Sequence, residues 1–163
     1  MTVAYRPAEQ RDRDFVVSSW SSSYRTSYVA GLISMDSWAD VMHRQLANVL
    51  DRPDVRTVVA VDTEDRAFLY GFLTADTTPQ VEQLSDNKHR TWPAMLYYVF
   101  VKAAYRRSGI ARGLFDAAEL DPRSQFLYAC KTPLAGRLVN KIPLAKWNPL
   151  VARFGKHQNG RSK

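Results

Sequence analysis

The sequence predicts a single domain of the α/β (α+β) class, with a mixed, mostly antiparallel sheet flanked by helices. A short first strand precedes two amphipathic helical segments, a run of strands follows, and a strand–turn–helix–strand unit comes next. Strands joined by a short turn are antiparallel, whereas strands joined through a helix are parallel with a right-handed crossover. We expect this domain to cover residues 1–154 and residues 155–163 to form a basic, flexible tail.

The composition is that of a globular protein. The chain has 163 residues, of which 45% are hydrophobic and 12% aromatic, enough for one core. Cys130 is the only cysteine, so an intramolecular disulfide is excluded and a reducing compartment is expected. The sequence shows no signal pattern, long apolar run or metal-ligand cluster, and we therefore expect a cytoplasmic protein without membrane or metal association.

The net charge of +7 is unevenly distributed along the chain. Residues 1–100 hold 10 Lys/Arg and 13 Asp/Glu, whereas residues 101–163 hold 13 Lys/Arg and 3 Asp/Glu. The basic part attracts an anionic ligand, and both a phosphate-bearing cofactor and nucleic acid satisfy that description.

The first part of the chain predicts one strand and two helices. Thr2–Arg6 alternates in polarity like a strand. Asp12–Tyr24 and Met35–Leu50 carry apolar residues at helical spacing, and Asp12 and Asp36 are the expected N-caps.

The next part predicts a hairpin and a long loop. Thr57–Asp62 and Ala67–Ala75 are β-rich and separated by a turn, and Gly71 indicates a bulge or a close backbone approach. Asp76–Pro93 is polar and is expected to be a long functional loop. His89 in this loop is a candidate base, although we favour an ordinary surface histidine.

The most informative segment is a strand, a turn and a helix. Met95–Val101 is an apolar, β-branched and aromatic run typical of a buried strand, and Ile110–Leu120 has a helical apolar stripe. Between them lies Arg106-Arg107-Ser108-Gly109-Ile110-Ala111. The first amides of a helix lack intrahelical partners and carry the positive end of its dipole, so this turn suits a phosphate. The alternative interpretation is an ordinary turn with solvated arginines.

The rest of the chain predicts three further elements. Gln125–Lys131 is a strand, and Pro133 begins a helix that runs to about Lys141. Leu144–Trp147 and Leu150–Phe154 are expected to close the domain as a hairpin.

The pattern Arg106-x-x-Gly109-x-Ala111, between a strand and a helix, resembles the acetyl-CoA signature of the GNAT superfamily of N-acetyltransferases. The order of elements resembles that fold from Thr2 to about Phe154. The resemblance implies that the two parallel strands splay apart and that acetyl-CoA, as co-substrate, lies in the notch between them. The implied cofactor-binding residues are Phe100, Val101, Arg106, Arg107, Ser108, Gly109, Ile110, Ala111 and Arg112.

The later half departs from the family pattern. Family members often have an asparagine after the later strand and a tyrosine in the next helix that protonates the leaving thiolate. Thr132 and Val139 occupy the corresponding positions here. Other residues must therefore supply any acid catalysis, and each of the candidates is also explained as a packed residue. These candidates are Tyr98, Tyr128, Cys130 and Asn140.

The acceptor site is expected near two loops. Segments 24–33 and 80–90 hold hydroxyls, aromatic rings and acidic groups, and they lie where the family places its acceptor. The candidate substrate-binding residues are Tyr24, Tyr28 and Glu82. The alternative is that segment 24–33 is an ordinary inter-helix loop.

The leading hypothesis is an N-acetyltransferase that moves an acetyl group from acetyl-CoA to a primary amine of a small molecule or a protein, directly within a ternary complex. One alternative is a binding module of the same fold, attached to nucleic acid or to an assembly, with weak or no catalysis. Another is a nucleobase-modifying enzyme. A homodimer remains open.

Overall fold

The computed structural model describes residues 2–27, 29–78, 80–83, 89–130, 132–133, 136–137 and 140–148. Within these ranges the strands are β1 (Val3–Pro7), β2 (Arg56–Asp62), β3 (Leu69–Asp76), β4 (Gln80–Gln83), β5 (His89–Trp92), β6 (Ala94–Val101), β7 (Phe126–Tyr128) and β8 (Ala145–Trp147). The α-helices there are α1 (Arg13–Tyr24), α2 (Met35–Leu50) and α3 (Ile110–Ala117). This order follows the prediction from sequence.

Six of these strands form one mixed sheet in the order β1-β2-β3-β6-β7-β8. The first four strands in this order pair antiparallel, and β6 pairs parallel with β7 through the crossover that contains α3. The predicted mixed sheet, the β2–β3 hairpin and the parallel pair are therefore confirmed. β8 lies parallel to β7 at the sheet edge, and its predicted hairpin partner, residues 150–154, lies outside the described residues.

Two apolar clusters cover the two faces of the sheet. The first core cluster joins α1 and α2 to one face and includes Trp20, Trp38, Met42, Leu46, Phe72 and Met95. The second core cluster joins α3 to the other face and includes Ile110, Leu114, Phe115, Leu73, Leu96 and Phe126. Because side chains alternate along a strand, the neighbours Phe72 and Leu73 belong to different clusters. The result is a helix–sheet–helix sandwich.

One extra residue interrupts this alternation in β6. Thr74 pairs with Tyr98 and Ala75 pairs with Leu96, so Tyr97 has no opposite residue on β3. This is the geometry of a β-bulge. As a result, Tyr97 and Tyr98 both belong to the first core cluster although they are adjacent in sequence.

Gly71 allows β3 and β6 to approach closely. A Cβ atom built on Gly71 would collide with the carbonyl oxygen of Phe100 and lie 3.0 Å from Cα of Val101. The β2–β3 register also shifts beside it, between Ala60 and Val61. The close approach and irregularity predicted for Gly71 are therefore present.

The helix N-caps differ from those expected. The hydroxyl of Ser34, not the carboxylate of Asp36, caps α2 by accepting a hydrogen bond of 3.4 Å from the amide of Ser37. Asp12 precedes α1 but gives it no side-chain cap. Its carboxylate is buried and accepts hydrogen bonds from Nη1 of Arg6 (2.6 Å) and from the amide of Glu9 (2.8 Å), which tie the start of α1 to β1.

The predicted long loop after β3 is partly strand instead. β4 and β5 pair antiparallel as a separate two-stranded sheet, with Gln80 opposite Trp92 and Gln83 opposite His89. Alternation of β-branched and polar residues in both arms accounts for the pairing. In the described part of the chain, no helix is long and apolar enough to cross a membrane.

Candidate active site

The turn between β6 and α3 has the backbone geometry of an anion site. Arg107 and Gly109 both have left-handed conformations, with φ of 68° and 87°. Gly109 is the N-cap of α3, and no side chain caps the first turn of this helix. No atom lies within 4 Å of the position that a Cβ of Gly109 would take, apart from its chain neighbours. The first amides of α3 are therefore free to face a ligand.

Two side chains fix the turn in place. Nε of Arg106 donates a hydrogen bond of 3.0 Å to the carbonyl oxygen of Val101, the last residue of β6. The hydroxyl of Ser108 donates a hydrogen bond of 2.6 Å to the carbonyl oxygen of Tyr105. Arg106, Arg107 and Arg112 are exposed around the start of α3, and three guanidinium groups there favour a doubly charged pyrophosphate.

Beside this turn, β6 and β7 part. Their pairing covers only Ala94 to Leu96 on β6, and a hydrogen bond of 3.0 Å from the amide of Ala129 to the carbonyl of Leu96 follows it. β6 continues to Val101, whereas β7 ends at Tyr128. In the described residues, the second half of β6 therefore has no paired strand on that side. The notch lies where the resemblance places the acetyl-pantetheine arm.

A cavity of about 630 Å³ lies on the α1/α2 face of the sheet, next to the notch. Tyr97 and Ala129, on either side of the parting strands, are in its wall. The rest of the wall comes from α1, α2, the segment after β7, and β8, and includes Trp20, Trp38, Met42, Leu46, Gly136 and Trp147. This volume is within the range of about 300–1,000 Å³ that is common for small-molecule sites.

Two polar groups in this wall are protonated at neutral pH. Burial raises the pKa of the Cys130 thiol to about 12. Burial, followed by the nearby Cys130, also raises the pKa of Tyr24. Both groups are therefore potential proton donors in the cavity and not nucleophiles.

Tyr98, a candidate acid, joins β6 to α1. Its hydroxyl shares a hydrogen bond of 2.7 Å with the hydroxyl of Ser23, and its ring stacks on Trp20 with centroids 4.9 Å apart. Burial raises the pKa of Tyr98 to about 12. The side chain is held rigidly beside the cavity wall that Trp20 and Tyr24 form.

An ion-pair network lies behind Tyr97. Nη1 of Arg52 donates a hydrogen bond of 2.9 Å to the Tyr97 hydroxyl, and Nη2 lies 2.5 Å from Oδ2 of Asp54 and 3.9 Å from Oδ2 of the fully buried Asp76. The hydrogen bond from Arg52 holds the pKa of Asp54 below its ordinary value. One wall residue of the cavity is thus anchored to a charged cluster outside it.

The structure separates the candidate site residues into groups. Tyr24 lines the cavity, and the residues of the 106–112 turn lie together at the start of α3. Tyr128 belongs to the second core cluster on the opposite face, and Asn140 is exposed with its amide bonded to the carbonyl of Gly136.

Other candidates lie in less described parts. Tyr28 and Val139 are outside the described residues, and for Glu82 only the backbone position in β4 is described. Sequence reasoning missed the site roles of Trp20, Trp38, Tyr97 and Arg52. Helical spacing marked the two tryptophans as core residues but gave no sign of a cavity beside them.

The sequence matches no family model and no curated protein. Solved structures share the architecture. An aminoglycoside 6'-N-acetyltransferase from Acinetobacter baumannii superposes with a TM-score of 0.53 and 17% identity, over 95% of this chain and 98% of its own. An acetyltransferase from Vibrio fischeri has a TM-score of 0.51 and 17% identity, over 77% and 93% of the two chains.

A transcriptional regulator from Bacillus halodurans is similar to the same degree, with a TM-score of 0.52 and 16% identity over 86% of this chain and 91% of its own. At such identities the similarity shows the fold and nothing finer. The order of elements, the parallel pair that parts beside α3 and these similarities agree. The chain has the fold of the GNAT acetyltransferases.

Proposed function

We propose that the protein is an acetyl-CoA-dependent N-acetyltransferase that acetylates a primary amine by direct transfer in a ternary complex. The observation that carries this proposal is the turn at the start of α3, where Gly109 leaves the helix amides open beside three exposed arginines and the parted strands. The arrangement fits a phosphate-bearing ligand, because the amides, the helix dipole and the arginines all favour negative charge there.

The residues of the chain divide the task between them. Acetyl-CoA supplies an activated acetyl thioester when it is bound. Amides at the start of α3 and the Arg106, Arg107 and Arg112 side chains hold the pyrophosphate, and main-chain groups of Phe100 and Val101 line the notch. The amine nitrogen forms a bond to the acetyl carbonyl carbon while the carbon–sulfur bond breaks, and the electron pair of that bond leaves with sulfur. The amine proton is released, and sulfur leaves as a thiol.

Two residues of the cavity are candidates to supply the proton that sulfur takes. The Tyr24 hydroxyl and the Cys130 thiol line the cavity and are held protonated by their raised pKa values. A proton transfer in the transition state contributes about 10²–10⁴ in rate. Tyr24→Phe and Cys130→Ser, measured singly, distinguish these donors by which one lowers kcat without changing acetyl-CoA affinity.

The binding step is tested with Gly109→Val. The variant places a β-branched side chain where φ is 87° and where a phosphate must approach the backbone, so acetyl-CoA binding should be lost. Isothermal titration calorimetry with acetyl-CoA measures this, and circular dichroism checks that the fold is kept. Gly31→Val, in an exposed turn with open space, is the matched control and should bind normally. Unchanged affinity in Gly109→Val would refute the proposal.

A second candidate is a binding module for nucleic acid, and two observations favour it. The second part of the chain is strongly basic, and one solved structure of the same fold is named a transcriptional regulator. Removal of residues 155–163 distinguishes the two functions. An acetyltransferase should keep its acetyl-CoA affinity, whereas a nucleic-acid binder should lose salt-dependent DNA binding, by about 0.9 in log–log slope per lost phosphate contact.

A further inference from the structure

The cavity beside the notch has an apolar wall rich in aromatic rings. Trp20, Tyr24, Trp38, Tyr97 and Trp147 contribute rings from α1, α2, β6 and β8. Aliphatic side chains of α2 fill most of the remaining wall, namely Val41, Met42, Leu46 and Val49. Stacked and edge-on ring contacts suit a flat, apolar ligand.

The wall carries no formal charge. None of its described residues is Asp, Glu, Lys, Arg or His. The nearest charged cluster is that of Arg52, Asp54 and Asp76, which pair with one another behind Tyr97. Arg25 lies over the ring of Trp38, with Cζ 5.7 Å from the centroid, but is not in the wall. A polycation would therefore lose its hydration in the cavity without gaining a counter-charge.

Two donors in the wall lack acceptors. The indole N–H groups of Trp20 and Trp38 are buried, and neither has a hydrogen-bond partner among the described residues. A buried donor without a partner is unusual, and a bound ligand can supply the missing acceptor. A ring system with an oxygen substituent, or with an electron-rich face, meets this requirement.

The cavity also has a defined end. Tyr97 and Ala129, which stand on the two strands where they part, bring its wall to the notch. A ligand that fills the cavity with its ring therefore presents its other end to the acetyl group. The uncharged wall favours the free amine over the ammonium ion, because burial penalises the charged form. The nitrogen that reacts is the free amine.

We propose that this cavity binds an apolar, ring-bearing primary amine, such as an arylalkylamine, as the acetyl acceptor. This inference rests on the proposed acetyltransferase function for the word acceptor, but the ligand class follows from the cavity alone. It excludes highly charged acceptors such as aminoglycosides and polyamines.

The direct test is binding without acetyl-CoA, with 2-phenylethylamine as the probe. Three of the four tryptophans of the chain line the cavity, so their fluorescence reports its occupation. We expect saturable quenching by 2-phenylethylamine and at least tenfold weaker binding of kanamycin and spermidine. Tighter binding of either polycation, or no binding of 2-phenylethylamine, would overturn the inference.

Gly136 provides the variant that locates the binding. It lies in the wall within a helical turn, where its amide bonds to the carbonyl of Thr132 at 2.9 Å, and a Cβ there meets no atom within 4 Å. Gly136→Ala and Gly136→Leu should narrow the cavity stepwise and weaken 2-phenylethylamine binding, at least tenfold for leucine. Ala39→Leu, on the exposed side of α2, is the matched control and should change nothing.

Acetyl-CoA affinity of the same variants separates the two proposals. Gly136→Leu should keep it, since Gly136 lies outside the α3 turn. If 2-phenylethylamine binds and acetyl-CoA does not, the acetyltransferase function fails while the ligand class stands. If acetyl-CoA binds and the affinity for 2-phenylethylamine is the same in Gly136→Leu as in the wild type, the cavity assignment is wrong and the acetyltransferase function stands.

Discussion

Nη1 of Arg52 donates a hydrogen bond of 2.9 Å to the hydroxyl of Tyr97, and this contact joins the charged cluster at the end of α2 to the wall of the cavity. The same guanidinium binds Asp54 and lies near the fully buried Asp76. Its position explains how two carboxylates are tolerated behind an apolar cavity, because one cation compensates both.

Arg52→Met should destabilise the fold by roughly 2–3 kcal/mol, somewhat less than the ~3–5 kcal/mol for a fully buried pair, because Arg52 is partly exposed. The loss arises because Asp76 would remain buried without its cation. Urea unfolding measures the change. Arg13→Met is the control, since the pair of Arg13 with Asp51 is largely exposed and is worth about 1 kcal/mol or less. Equal losses in the two variants would contradict this role.

Gly71→Ala should destabilise the protein by about 1–3 kcal/mol, the usual cost of overpacking. The added methyl group would collide with the carbonyl of Phe100 and force β6 away from β3. We expect weaker acetyl-CoA binding as well, because the main chain of Phe100 lines the proposed notch. Thermal unfolding and calorimetry measure the two effects. Gly31→Ala adds the same group to open space, and a comparable effect there would refute the packing explanation.

The pair of Arg6 and Asp12 should make stability depend on pH in acid. Burial raises the pKa of Asp12, but the hydrogen bonds from Arg6 and from the Glu9 amide outweigh burial and leave it below its ordinary value of about 3.9. The charged form is therefore favoured in the folded state. Its contribution is present above about pH 4 and is lost as the pH falls through the folded-state pKa.

Asp12→Asn should accordingly cost roughly 2 kcal/mol at pH 7, a value typical of hydrogen bonds to charged groups, and progressively less below pH 4. Urea unfolding at a series of pH values measures the difference from the wild type. The control is Asp14→Asn, an exposed position of α1, which should change the unfolding free energy by no more than about 0.5 kcal/mol. A difference between Asp12→Asn and the wild type that stayed constant down to pH 2 would contradict this account.

The parts of the site that the sequence predicts are local. The 106–111 turn needs only its own residues, because a glycine with positive φ before a helix determines where the amides point. The same holds for the hairpin of β2 and β3, whose connection is short. Helix caps were predicted less well, since Ser34 and Asp36 are both good N-cap residues and only the entry of the chain into α2 decides between them.

The cavity was not predicted because its wall combines distant segments. Trp38 and Tyr97 are far apart in sequence, and each has an ordinary pattern for a core helix or strand. Whether such side chains fill the space between elements or leave it open depends on their tertiary placement. The contact of Arg52 with Tyr97 is hidden for the same reason.

The extra residue in β6 changes the parity of the strand. Counted by twos from Met95, Tyr98 and Phe100 would be assigned to the face of α3, yet both pack with the first core cluster, whereas Val99 and Val101 pack with the second. An alignment that treats β6 as an uninterrupted strand therefore inverts the second half of it. A one-residue deletion at Tyr97 should be more damaging than its substitution, because it would exchange the two faces of every residue from Tyr98 to Val101 in a single step.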